Sequence, residues 1–442
     1  MKIRLPQVLF VFFAWTSFAQ ETGTIKFLRF DDCLELAMQN NLSLQSALLD
    51  EKIAHTQYKA SYGQILPAIS ASGDNRYSWG KEIDNTTNLF VNTQLKTYEG
   101  SVNANFNLFS GFRVLNSIRA MRQEREISRE NISLTKNEIT IDLAQRYITI
   151  LYLQEIIEAN HEQIRSSEKQ IELAQLKFDN GTISESEVFK IKAQKANEEL
   201  SMLTNQNNLT DNLISIKQLM NLPIETEIAL SEPELDFRIL ENLEDRQYEL
   251  TKQAVMLHPA YKMSVFGEQR ARTDLSIARG LRFPLLNMRV QHRSNYSDND
   301  EETFRMQIKE NTATSLRFGL EIPIFNRFET WSEVQTAKLE WKQAQIFTKL
   351  EQNRLSKEVM KSITDTRTSI KKRDASGLAF EFSQKSLDAD DLKFQLGKIN
   401  INEWSLTKMN FNKAQAELIQ ARYELLFNNA LIKFYLGEAF TL

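Results

Sequence analysis

Cysteine is almost missing from this chain: Cys33 is the single one in 442 residues, which excludes any disulfide within it. Histidine is nearly as scarce. His55, His161, His258 and His292 lie far apart and offer no zinc-like spacing. No excess of basic residues exists either. The formal net charge is −4, so the basic surface that nucleic-acid binding demands is not expected. Beyond the first 19 residues no apolar run approaches the ~18 residues of a membrane helix. Catalytic signatures are missing too: there is no G-x-S-x-G, H-E-x-x-H or phosphate-binding loop. Ser166 to Lys169 spells S-x-x-K, but on a charged helical stretch without the companion motifs of such hydrolases. Glu158 and His161 have the Glu-x-x-His spacing of di-iron bundles, yet the second half of the chain has no matching pair. No enzyme, cofactor or metal site is expected.

What is present begins with a secretory signal over residues 1–19. Lys2 and Arg4 charge its start, Leu9 to Trp15 form a short apolar core, and Ser17-Phe18-Ala19 gives a small-x-small cleavage site. An exported chain without a membrane helix is secreted, periplasmic or a β-barrel.

Glycine and proline are absent between Gly111 and Gly181. That stretch is rich in Ile, Leu, Glu, Gln, Lys and Arg, and predicts one uninterrupted helix over 112–179. At ~1.5 Å per residue it would be ~100 Å long. Leu143, Ile150, Ile157, Ile164, Ile171 and Phe178 recur every seventh residue, a coiled-coil pattern. The companion positions are mixed, Arg146, Leu153, Asn160, Ser167 and Ala174, and the small and polar ones suggest helices packed around a wet interior. An ordinary periplasmic bundle would read the same way on the helices alone.

The chain also repeats itself at an offset of 216 or 217 residues. Pro67 falls on Pro284, Phe109 on Phe325, Gly181 on Gly397 and Asn221 on Gly437, while AMQNNL (37–42) falls on AVMLHP (254–259). A constant offset across so many landmarks argues for a duplicated unit. The first repeat spans 20–223: a moderate helix (about 31–62), strands 68–79 and 98–109, the long helix, a turn at 180–184 and a return helix 185–220. The second spans 246–442: a moderate helix (246–279), strands 285–296 and 312–323, a long helix 326–395, a turn at 396–400 and a return helix 401–437. Between them, residues 224–249 hold nine acids and two bases and read as a solvated connector in the middle of the molecule.

The strands alternate in a way that separates two faces. Asn103, Asn105 and Asn107 stand between Val102, Ala104, Phe106 and Leu108. Asn287, Arg289, Gln291 and Arg293 stand between Leu286, Met288 and Val290. Ser315, Arg317 and Glu321 stand between Leu316, Phe318, Leu320 and Ile322. In a soluble sandwich the apolar face would meet a core. In a membrane barrel it would meet lipid, and the polar residues would line the lumen. Four strands are too few to close a barrel, and open edges are not tolerated in hydrocarbon. Several chains must then share one barrel; three give an even count of twelve strands.

The duplicated LKF-x-x-G turns (176–181 and 392–397), the Ala254–Pro259 segment, the NLF and PIF strand ends and the LMNLP end of the first unit (219–223) together resemble the TolC family of outer-membrane efflux proteins, over about residues 27–438. The resemblance implies a mainly helical chain with membrane β-strands. It implies a homotrimer with a 12-stranded barrel, four strands per chain, in the lipid of the outer membrane of a diderm bacterium. A helical coiled-coil tunnel would continue it through the periplasm. It implies two partners, a periplasmic adaptor protein and, through it, an inner-membrane pump; the chain would be the exit duct. The turns Asn180-Gly181-Thr182 and Leu396-Gly397-Lys398 would be the periplasmic tips that dock the adaptor. Acidic residues ring the entrance in better-known members. Here Glu403 matches the first such position, Leu406 occupies the second, and Glu187 is the equivalent in the first unit, so the acidic girdle is halved. Glu187 and Glu403 would gate ions there, or merely complement the helix dipoles. The competing class is a periplasmic or secreted helical scaffold with no transport role.

Overall fold

The computed structural model describes residues 26–84, 88–232 and 245–442. The proposed signal, residues 1–19, and residues 233–244 of the acidic connector lie outside the described residues. The stretch without glycine or proline forms a single helix. In chain order the elements are β1 (Lys26–Leu28), α1 (Phe30–Asn40), α2 (Leu42–Tyr62), β2 (Ala68–Ile83), β3 (Phe90–Ser110), α3 (Arg113–Asp179), α4 (Glu185–Leu219) and β4 (Ile228–Leu230). Then follow α5 (Gln247–Leu257), α6 (Pro259–Gly280), β5 (Leu285–Ser297), α7 (Phe304–Glu310), β6 (Thr312–Glu321), α8 (Glu329–Gln395) and α9 (Ile401–Tyr435).

The repeat is visible in the geometry. Both long helices have 67 residues and both return helices have 35. Phe112 and Phe328, 216 residues apart, both adopt the left-handed region (φ 61° and 66°) where the chain turns from strand into long helix. The expected moderate helices are each broken in two, at Asn41 and His258. In both places a side chain caps the second helix: Asn41 Oδ1 accepts from the Ser43 and Leu44 N–H groups, and His258 Nδ1 accepts from the Ala260 N–H. Pro259 at the first helical position suits α6 because no N–H is needed there.

α3 packs along α4 and α8 along α9, α2 lies against α3, and α6 lies against both α3 and α8. The core sits in the middle of the molecule. There the Tyr147 hydroxyl of α3 donates to the carbonyls of Leu28 (3.2 Å) and Ser231 (2.6 Å), and Phe30, Tyr147 and Phe440 cluster around it. The connector departs from expectation here. Ile228, Ala229 and Leu230 pair in parallel with Lys26, Phe27 and Leu28, and Leu230 is buried. Three apolar residues among the acids suffice to build a strand into the core. Cys33 is fully enclosed in the same cluster, and burial pushes its thiol up to about 12, which keeps it unreactive.

The four long strands form one antiparallel sheet in the order β2-β3-β5-β6. β2 and β3 outrun the alternation seen in sequence, pairing from Ala68↔Asn105 out to Ile83↔Phe90. A bulge between Asn107 and Phe109 marks the inner end of β3. β6 ends at Glu321, short of the expected 323, where Pro323 has no N–H to donate. At the junction of sheet and helices, Gly111 (φ 63°) lies against Gly280. A Cβ added to Gly111 would stand 2.2 Å from the Gly280 carbonyl oxygen.

Two predictions follow from this frame. Gly111→Ala combines a positive φ with a backbone clash and should cost more than about 2 kcal/mol, read as loss of folded yield and lower thermal stability; a variant as stable as the parent would contradict the close approach. Burial holds the His258 ring below its ordinary 6.5, and its cap needs Nδ1 unprotonated. The unfolded chain therefore takes up the proton first as pH falls. The stability from this group is complete above about pH 6.5 and is lost below it. Between about pH 8 and about pH 5, His258→Asn should lose less melting temperature than the parent. Equal losses would contradict this assignment.

Candidate functional site

The sequence-predicted residues fall at two opposite ends, separated by the ~100 Å length of α3. At one end both Gly turns close their helices in the same way. The Gly181 N–H donates to Phe178 O and the Thr182 N–H to Lys177 O; the Gly397 N–H donates to Phe394 O and the Lys398 N–H to Lys393 O. This is the paired bond pattern of a helix ended by a left-handed residue, and φ is 69° and 70° at the two glycines. Asn400 caps α9 through Oδ1, and its Nδ2 donates to the Glu403 carboxylate at 3.0 Å. Glu187 and Glu403 each lie in the first turn of a return helix. They share a crevice of about 650 Å³ with Asn180, Thr182, Leu396 and Lys398. Their first-turn positions complement the helix dipoles.

The two hairpins are braced against each other at this end. Lys177 Nζ donates to the Phe394 carbonyl at 2.7 Å and lies 4.6 Å from that ring's centre. Phe394 stacks on Trp404, and Ala174, Val188, Ile191 and Ile401 complete the cluster. One step inward lies a polar junction that sequence reasoning missed. Lys408 of α9 sits 3.3 Å from Glu198 of α4, and both are nearly fully buried. Ser167 of α3 bonds to both, and Lys408 also donates to the Gln163 carbonyl at 3.1 Å. Burial pulls the Lys408 ammonium below the ordinary lysine value, against the attraction of Glu198. The signal for it was a lysine on the apolar stripe Ile401, Trp404, Lys408. The small and polar companions on α3 are likewise not turned to water. Asn160, Ser167 and Ala174 are buried in this seam, with Asn160 bonded to Asn205 and Gln163. Their size lets α4 and α9 approach α3 closely.

At the other end the sheet sorts its residues into rows. Asn105, Arg289 and Arg317 are paired neighbours on one face, as are Asn103, Gln291 and Ser315. Asn107 pairs with Asn287 and Ser110 with Leu285, which in turn pairs with Glu321; Ser101 pairs with Arg293. The opposite face carries Val102, Ala104, Phe106, Met288, Val290, Leu316, Phe318 and Leu320. It is left open: Ile69 is 71% exposed and Leu320 63%. Aromatic rings bound this apolar face. Phe109, Phe112 and Phe283 contact one another at its inner end, and Tyr98, Tyr296 and Phe304 at its outer end. From the Leu286 row to the Tyr296 row is ~33 Å of strand, or ~25 Å of height at the usual barrel tilt. That matches the outward apolar band of an outer-membrane barrel. Among the described residues no helix is long and apolar enough to cross a membrane.

Lys408→Met leaves Glu198 buried without its cation and should destabilise by about 3–5 kcal/mol, whereas Lys408→Met with Glu198→Met should recover most of that. Thermal unfolding followed by helical circular dichroism checks both. A single variant that melts with the parent would contradict the coupling.

No curated protein matches the chain by sequence. Among solved structures it is similar to CusC (16% identity, 96% of each chain covered, TM-score 0.82). It is also similar to VceC of Vibrio cholerae (14% identity, 93% of this chain and 97% of that one, TM-score 0.77) and to the CmeC channel of Campylobacter jejuni (14% identity, 99% and 94%, TM-score 0.80). At these identities the likeness establishes the fold. The family model described as outer membrane efflux protein matches residues 33–222 and 250–438, one stretch for each repeat. The chain therefore belongs to the outer membrane efflux protein family, the TolC-like outer-membrane channels of tripartite export systems.

Proposed function

We propose that three copies of this chain close their sheets into one twelve-stranded barrel and form a continuous exit duct. The observation that carries this is the open four-stranded sheet. Its edge strands β2 and β6 have unpaired backbone groups, its apolar face is bounded by two aromatic belts, and its other face is polar. Hydrocarbon does not tolerate unpaired N–H and C=O groups, and four strands cannot close alone. Joining β6 of one copy to β2 of the next removes every edge. Asn103, Asn105, Asn107, Asn287, Arg289, Gln291, Arg293, Ser315, Arg317 and Glu321 then line the lumen, and the helices continue the wall on the periplasmic side.

In the same reading the turns at Asn180-Gly181-Thr182 and Leu396-Gly397-Lys398 form the periplasmic end and meet an adaptor protein, which links the duct to an inner-membrane pump. Members of the family work with such partners. Exposed Leu396 offers an apolar contact, with the polar Asn180, Thr182 and Lys398 around it. Glu187 and Glu403 supply a partial acidic ring at the entrance.

Two experiments test this reading. Phe106→Asp puts a charge on the lipid face and should impair assembly, at a cost below the ~2–4 kcal/mol of a lysine or arginine there, while Asn105→Leu on the lumen face should assemble nearly as well as the parent. The readout is the amount of detergent-extracted oligomer in the outer-membrane fraction; equal tolerance at both positions would contradict the face assignment. Glu187→Ala with Glu403→Ala should move the reversal potential in planar bilayers away from cations. An unmoved potential would remove the gating role and leave the duct intact.

A further inference from the structure

On the polar face of the sheet, Arg289 and Arg317 are directly paired across β5 and β6. Like charges placed opposite one another weaken a sheet, so the pair works against the fold that holds it. Arg293 stands on the same face, ~13 Å further along β5. All three are exposed, and among the described residues none of them forms an ion pair with a carboxylate. Arg289 is aimed by a neutral partner: its Nε donates to Asn105 Oδ1 at 2.7 Å. Other charges described on this face flank the trio. Glu321 lies at the inner end of β6, opposite Leu285. Asp74 and Glu99, paired with each other, lie in the next same-face row outward from Arg293, and Arg76 lies beyond them.

We propose that Arg289, Arg317 and Arg293 form an anion-binding belt inside the barrel, which takes solutes bearing carboxylate or phosphate groups. This rests on the duct reading, because the belt becomes a ring only when several copies surround one lumen. A guanidinium offers a planar fork of donors that fits carboxylate and phosphate oxygens two at a time. Free of carboxylate partners, the forks remain available to a passing anion. Threefold closure would repeat the trio around the pore and concentrate anions there, as charged rings do in selective pores. The acidic row of Asp74 and Glu99 lies on the outer side of the belt. An anion entering from outside passes this acidic row before it reaches the belt, and one rising through the tunnel passes Glu321 first.

The test uses full-length protein in planar bilayers, with inorganic tripolyphosphate added on the barrel side. It should block conduction through the parent. Asp74→Asn with Glu99→Gln should lower the half-blocking concentration, and adding Arg289→Gln and Arg317→Gln to that background should raise it about tenfold. Arg289→Lys with Arg317→Lys keeps the charge and should retain most of the block. Conduction with no tripolyphosphate block in the Asp74→Asn/Glu99→Gln protein, or with block unchanged by the glutamine variants, overturns the anion belt and leaves the duct standing. A parent that never conducts contradicts the duct reading itself, and the belt falls with it.

Discussion

Everything in this molecule answers to one constraint: backbone N–H and C=O groups cannot be left unpaired in hydrocarbon. β2, β3, β5 and β6 satisfy one another internally and leave two open edges. The apolar face of the sheet forbids those edges from resting in water, and the strand count forbids a single chain from closing them. The proposed threefold closure resolves both demands at once. It also fixes the remaining architecture, since each strand pair feeds one long helix through a left-handed phenylalanine, Phe112 or Phe328. Helices that leave a closed ring of strands at equal spacing form a ring themselves.

Duplication makes this economical. Each repeat supplies a strand pair and a helical hairpin of matching length, so the two halves reach equal distances from the sheet. The halves are not identical where they meet. Gly111 of the first repeat lies against Gly280 of the second, whereas the position equivalent to Gly111 is Arg327. At the far end Lys177 crosses from α3 to cap α8, and Lys408 crosses from α9 to Glu198 of α4. The buried charge pair is a poor source of stability beside an apolar one, but it fixes how one coil sits against the other.

Much of this was legible in the sequence because the signals were local or periodic. The absence of glycine and proline between Gly111 and Gly181 marked α3, and the constant offset marked its partner α8. Alternation marked the inner halves of the strands. It failed for the outer parts of β2 and β3, where Lys96 and Gln94 interrupt the apolar rhythm beyond the second aromatic belt. It also failed for Ile228–Leu230, whose acidic neighbours dominate composition while its three apolar side chains decide the packing. Contacts between distant residues left no trace: nothing near Gly111 announces Gly280. Lys408 was the exception, since a lysine on an apolar helix stripe implies a buried partner without saying which.

Single-particle imaging of the detergent-purified protein tests the central claim most directly. The account predicts a threefold tube, with a short twelve-stranded barrel at one end, a helical body about 100 Å long and a narrowed tip. A monomer, or a bundle with a filled interior whose sheet packs its apolar face on protein, would contradict the closure on which the rest depends.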